Sequence, residues 1–318
     1  MTHSFFSPQL RGALAIAVGA GLWGLFWIPL RYLSDAGFGA FWSAALVLGA
    51  GLPIAVLAAS KWGKWRADHA RWVVLVGTGI GISEVCYFYA VVSTDVIRAI
   101  FLFYMLPIWA TLIDRVVFGI RLNPWRAFAI LLAFAGLWLL LGGDGGLPVP
   151  RNAGDWAGLV AGFFWGSTLS LVRGRAEVDP HWNVASAIFF GAVFSALAAV
   201  LIGSVEFSEG ALTPVLALAV VAFGVVALWP SMIGQLWGAR LVPATRAALL
   251  TMTEIVVATI SAWALIGTSM TTLSVIGGMI IVAAVLIDIF GNTEETASFG
   301  FNPASGARTS RAAWASSV

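Results

Sequence analysis

Glu84 and Glu254 are the two carboxylates that fall deep inside long apolar stretches of this sequence. If those stretches are membrane helices, Glu84 lies about 18 Å and Glu254 about 15 Å from the inner end of its own helix, at about 1.5 Å per residue. Both are then near the bilayer midplane, where an ionised carboxylate costs about 3 kcal/mol or more. Such a group must face a wet cavity, find a partner or take up a proton. Contact with a substrate amino group, or proton exchange, is the functional reading. A structural hydrogen bond between helices is the plain alternative, although a neutral side chain fills that role at lower cost. Arg98 and Arg246 open two of the apolar stretches. They are suited to attract a substrate carboxylate, to pair with a mid-depth Glu, or simply to snorkel to the interface. Trp23 and Trp165 recur at related positions, and aromatic faces beside an acid hold organic cations or aromatic groups. Tyr87, with Tyr89 and Tyr104, offers hydroxyls for a ligand or for neighbouring helices. With 16 Trp in the chain, lipid-facing packing remains the ordinary role for any single one.

Catalytic chemistry has little to work with. An intramembrane protease needs a Ser with a His or Lys base, paired aspartates or a zinc motif. The apolar stretches hold no Lys or His, and Asp114 and Asp288 fall near stretch ends. No catalytic residue, metal or cofactor is expected, and the lone Cys86 forms no internal disulfide. Gly77, Gly79 and Gly81 sit inside an apolar helix rather than a strand–helix phosphate loop. Gly158-x-x-x-Gly162-x-x-x-Gly166 reads as a close helix-packing face.

The elements that must position these residues follow from composition. Of 318 residues, 60% are hydrophobic and 10% charged, well below the roughly 25% charge of soluble domains. Ten apolar runs of 18 to 24 residues cover 12–31, 40–59, 72–93, 97–118, 125–142, 156–173, 183–203, 215–238, 244–266 and 271–290. Each spans a hydrocarbon layer as a helix, and none alternates as a barrel strand does. Short turns such as Gly142–Gly146 connect them, and Pro29, Pro107 and Pro230 are placed to kink three. The first run lacks a cleavage site and reads as a helix, not a signal peptide. Residues 291–318, rich in Ser, Ala, Thr and Gly, read as a disordered tail. With both termini cytoplasmic, 14 of the 17 Lys and Arg fall inside and only Arg31, Arg98 and Arg151 outside. The basic residues are therefore topology signals of an inner-membrane protein, and nucleic acid is not an expected partner.

The halves repeat. Trp23-Gly24 with Arg31 matches Trp165-Gly166 with Arg173. Further on, Arg98-Ala99 matches Arg246-Ala247, Ala110-Thr111 matches Ala258-Thr259, and Gly119 matches Gly267. Five helices followed by five related helices must enter the membrane in opposite senses, an arrangement found in transporters. The expected fold is thus an all-α membrane protein of ten transmembrane helices in two inverted five-helix repeats, residues 11–142 and 153–290.

Gly21-Leu22-Trp23-Gly24, Leu106-Pro107, Ala135-Gly136 and Gly277-Gly278, set in this repeat, resemble the drug/metabolite transporter (DMT) superfamily of the ten-helix, EamA-like type. Glu254-Ile255-Val256 stands where that family often has Glu-Pro-Val, and Ile120 and Thr268 stand where it often has Glu. The resemblance runs from about residue 11 to 290. It implies a secondary transporter that moves a small metabolite, an amino acid or related compound, most often outward. Its partners would be the solute, the lipid bilayer and protons as a candidate coupling ion. The competing class is an intramembrane enzyme or a sensor without a soluble domain.

Overall fold

The computed structural model describes residues 7–117, 119, 123–141, 149–202, 212–267 and 269–290, and every regular element among them is helical. The expected turn at 142–146, where residue 141 is the last one described, and the expected tail at 291–318 lie outside the described residues. Eight helical segments are long and apolar enough to cross a membrane. Four belong to the first half: Pro8–Asp35, made of α1 (Pro8–Trp23) and α2 (Trp27–Asp35); α3 (Ala40–Trp62); Ala67–Ser93, containing α4 (Ala70–Ser93); and Val96–Val117, made of α5 (Val96–Phe103) and α6 (Leu106–Val117). The shorter apolar α7 (Pro124–Leu140) follows, and then α8 (Ala153–Gly174), which carries Asp155 and Arg173. The other four are α9 (Pro180–Leu201); Pro214–Ala239, containing α10 (Pro214–Phe223) and α11 (Trp229–Ala239); Ala244–Ile266, made of α12 (Ala244–Leu250) and α13 (Thr253–Ile266); and the span of α14 (Thr272–Phe290).

Local sequence explains many of the boundaries. Asn123, Asn152, Asp179 and Thr213 cap their helices with a side-chain oxygen on a first-turn N–H, and three of the four are followed by proline at the first helical position. Three spans are broken where the sequence interrupts the backbone ladder. Proline has no N–H and its ring collides with the carbonyl four residues back. The chain accordingly breaks at Tyr104-Met105 just before Pro107, and winds into a π-helical segment, Gly224–Leu228, just before Pro230. The first span breaks at Gly24–Phe26, with Pro29 inside α2. A further break at Thr251-Met252 has no proline beside it.

Glycine decides the close packing. A Cβ at Gly158 would meet the Ala99 carbonyl, one at Gly162 the Phe103 carbonyl and one at Gly166 the Leu106 carbonyl. The stripe therefore lets α8 lie directly on the backbone of α5 and α6, as its spacing implies. Gly77 and Gly81 admit α9, with Phe190 against both, and Gly79 admits Thr168 of α8. In the core, α4 packs between α8 and α9, α3 packs on α9, α1 on α11 and α7 on α14. Large apolar side chains such as Val116, Leu201 and Val215 cover the outside, as a lipid-facing surface requires.

The two halves resemble each other in detail. The breaks at Tyr104-Met105 and Thr251-Met252 follow Arg98 and Arg246 at distances that agree to within one residue. Gly119 and Gly267, further along at equal spacing, both adopt the left-handed conformation, with φ 67° and 68°. Packing is paired as well: α1 on α11 has its counterpart in α8 on α4, and α8 on α6 in α1 on α13.

Candidate functional site

A cavity of about 230 Å³ lies between the halves. Its lining comes from the end of α1 and from α2, the second half of α4, α5, the middle of α8 and the first turns of α13. It thus extends from mid-depth toward the face at which α4 ends and α5 begins. Five of the seven residues singled out from sequence line it together: Glu84, Glu254, Trp23, Trp165 and Tyr87.

Each is placed by an identifiable feature. Trp23 ends α1 at the first break and stacks on Phe26 with ring centroids 4.7 Å apart. Across the cavity its ring centroid is 6.5 Å from that of Trp165. Glu254 sits in the first turn of α13, immediately after the break, so the positive end of that helix faces its carboxylate. The phenols of Tyr87 and Tyr104 lie close enough to interact with that carboxylate. Glu84 is only 4% exposed, and neither carboxylate oxygen has a hydrogen-bond partner among the described residues. It presses on the backbone of Gly191, where any larger side chain would displace it. Its neighbour Ser83 donates to the Ala161 carbonyl at 2.8 Å, tying α4 to α8 beside the cavity.

The two arginines lie elsewhere. Arg98 donates to Asp155 at 3.1 Å, where Asp155 also accepts from Thr94 at 2.6 Å. Arg246 donates to Asp288 at 2.7 Å through Nε and to the Asp288 carbonyl at 2.8 Å, and Arg126 donates to the same carboxylate at 3.2 Å. Neither Arg98 nor Arg246 touches a mid-depth Glu. Trp109 packs edge-on against Phe163 and Trp229 lies near Trp62, both away from the lining. Phe26, Trp27, Ser83 and Phe103 also line the cavity, although the sequence reading did not name them. Phe26 and Trp27 lie within one turn of Trp23, and Phe103 precedes the break announced by Pro107, so proximity to a predicted kink was the available signal.

Away from the cavity mouth hydrogen bonds tie the two halves together. Ser170 donates to Asp114 at 3.0 Å, and Thr245 donates to the same carboxylate at 3.4 Å. Arg173 donates to the Arg240 carbonyl at 2.5 Å, and Arg240 donates to the Ala176 carbonyl at 2.6 Å. Here α12 packs on both α6 and α8.

The profile of the EamA-like transporter family matches residues 10–142 and 152–289. The chain belongs to the EamA-like transporter family. Its two matched segments are the two halves described above, consistent with the DMT superfamily. This EamA-like protein is accordingly a multi-pass membrane protein of a transporter family. A solved crystal structure is similar to it with a TM-score of 0.74 and 22% identity, covering 90% of this chain and 99% of its own. That likeness concerns the fold. No protein of curated function matches the chain.

Proposed function

We propose that this EamA-like protein is a secondary transporter that carries a small organic metabolite, an amino acid or related compound, out across a bacterial-type inner membrane. The observation that carries this reading is one cavity at mid-depth that gathers both deep carboxylates and the matched Trp23 and Trp165, extended toward one face while hydrogen bonds around Asp114 join the halves at the other. The eight long spans together with α7 and α8 make ten crossings, in two inverted repeats over residues 11–142 and 153–290. With both termini in the cytoplasm, the cavity faces the outside and the Asp114 cluster closes the cytoplasmic end. Alternating access then requires that cluster to open while α5 and α13 close over the solute. Protons are the coupling ion: a carboxyl group with no partner at this depth is held by a proton or by a bound cation.

Purified protein in proteoliposomes tests this with labelled metabolites and an imposed pH gradient. Counterflow that depends on Glu254 and is accelerated by the gradient is expected. Hydrolysis of a solute without vectorial movement would replace the transporter by an enzyme.

A further inference from the structure

We infer that the solute selected by this cavity is an organic amine with an apolar or aromatic body and no free carboxylate. The inference rests on the transport reading and narrows its solute class.

A zwitterionic amino acid brings a carboxylate into a site of low dielectric, and that charge needs a cation or several donors. The described residues lining the cavity include no Arg, Lys or His. The nearest candidates by sequence are committed elsewhere, Arg98 to Asp155 and Arg246 to Asp288. Helix N-termini are the other common carboxylate receptors, and the cavity is surrounded by helix breaks. Three of the N–H groups at these breaks are already used, however. Phe26 N–H donates to the Trp23 carbonyl, Met105 N–H to Leu102 and Glu254 N–H to Thr251. At the start of α13, moreover, the Glu254 carboxylate already occupies the favourable position for an anion.

An ammonium group finds the opposite environment. Glu254 faces the space from a half-buried position with the Tyr87 and Tyr104 phenols beside it. The rings of Trp23 and Trp165 supply negative faces that attract a cation and apolar area for the body it carries. Glu84, without a partner, stays available for the coupling proton. A carboxylate added to the same amine would meet Glu84, Glu254 or indole faces, which repel it, while the Tyr87 and Tyr104 phenols, donors in the same lining, already flank Glu254.

Three probes share one ring and one amino group and differ only in the carboxylate: phenylethylamine, phenylalanine amide and phenylalanine. Equilibrium binding of each labelled probe to the full-length protein in lipid nanodiscs, and counterflow of each in proteoliposomes, is the test. Phenylethylamine and the amide are expected to bind at least about tenfold more tightly than phenylalanine, the least that an unmatched buried charge costs. Glu254→Gln should remove most of that binding and Glu254→Asp should keep part of it. Phenylalanine binding as well as the amine overturns the inference, and so does failure of all three probes to bind. If phenylalanine is preferred and still moves by counterflow, only the solute class falls and transport stands. If the amine binds at Glu254 without counterflow, the solute class stands and the transport reading falls.

Discussion

Glu84 and Glu254 share a depth but not an environment, and under the proposed function the difference gives them separate tasks. Glu254 heads a helix, is half-buried and sits beside two phenols. Glu84 is wedged against Gly191 with both oxygens unpartnered. Replacing either by Gln keeps the volume and removes charge and titration together. Glu254→Gln should remove most solute binding. Glu84→Gln should preserve binding and flatten the dependence of flux on pH, measured from about pH 5.5 to about pH 8. Wild-type flux across that range in both variants would make the carboxylates structural. The Arg126–Asp288–Arg246 cluster is a stability matter instead. Its carboxylate is fully buried between two guanidinium groups. Asp288→Ala removes the buried carboxylate that both arginines share and should cost about 3–5 kcal/mol, visible as a large fall in the thermal unfolding temperature in detergent. Asp155→Ala should cost less, because its partner Arg98 keeps 25% of its side chain exposed. The depth of Glu84 and Glu254 was legible in the sequence because an acid in an apolar run stands out. The partners of Arg98 and Arg246 were not, since Asp155 and Asp288 lie 57 and 42 residues away along the chain and no local pattern couples them.

Helices here are positioned by glycine and interrupted by design. Gly162 lies against the Phe103 carbonyl, the carbonyl that Pro107 deprives of its helical N–H partner. Gly162→Val should push α8 off α5 and α6, costing about 1–3 kcal/mol and lowering the yield of monodisperse protein, whereas Ala at the half-buried Gly49, with open space around a Cβ there, should change neither. Equal behaviour of the two variants would contradict the packing role of the stripe. Most of this organisation was readable beforehand. The apolar runs coincide with the helical spans, because lipid forces both apolarity and helicity on the same residues. Pro107 and Pro230 marked two of the interruptions. The break at Thr251-Met252 escaped, since the position equivalent to the family's proline is Ile255 and nothing local forbids a continuous helix there. It is the relation to Tyr104-Met105, its counterpart in the other half, that makes this break intelligible: the repeat preserves the shape where the sequence has lost the proline.

Those matched breaks bear on how the molecule works as a machine. If α6 and α13 are counterparts, and α5 and α12 likewise, then a symmetric molecule would pack α13 on α5 as closely as α6 packs on α12. The α6–α12 contact is well formed, with Thr111 donating to Thr245 at 3.3 Å. In the other half the space between α5 and α13 is the cavity itself, lined by Ile100 on one side and Ala258 on the other. On the transport function proposed above, this asymmetry is that of one state in a two-state exchange, and inverted repeats would make the second state by trading the two conformations between halves. Orientation can be checked first: a reporter active only in the periplasm should be active when inserted at 149–151 and silent when fused after Val318. The exchange itself is tested by cysteines at Ile100 and Ala258, introduced with Cys86 replaced by Ser. In the described state these positions face each other across open space, so they should link only when α13 swings onto α5. Oxidation during turnover should therefore trap the protein and stop flux, and reduction should restore it. Conversely, Asp114→Ala removes the acceptor shared by Ser170 and Thr245, loosens the shut end and should raise the rate of that cross-link. A rate unchanged by Asp114→Ala would uncouple the two ends and remove alternating access as the mechanism.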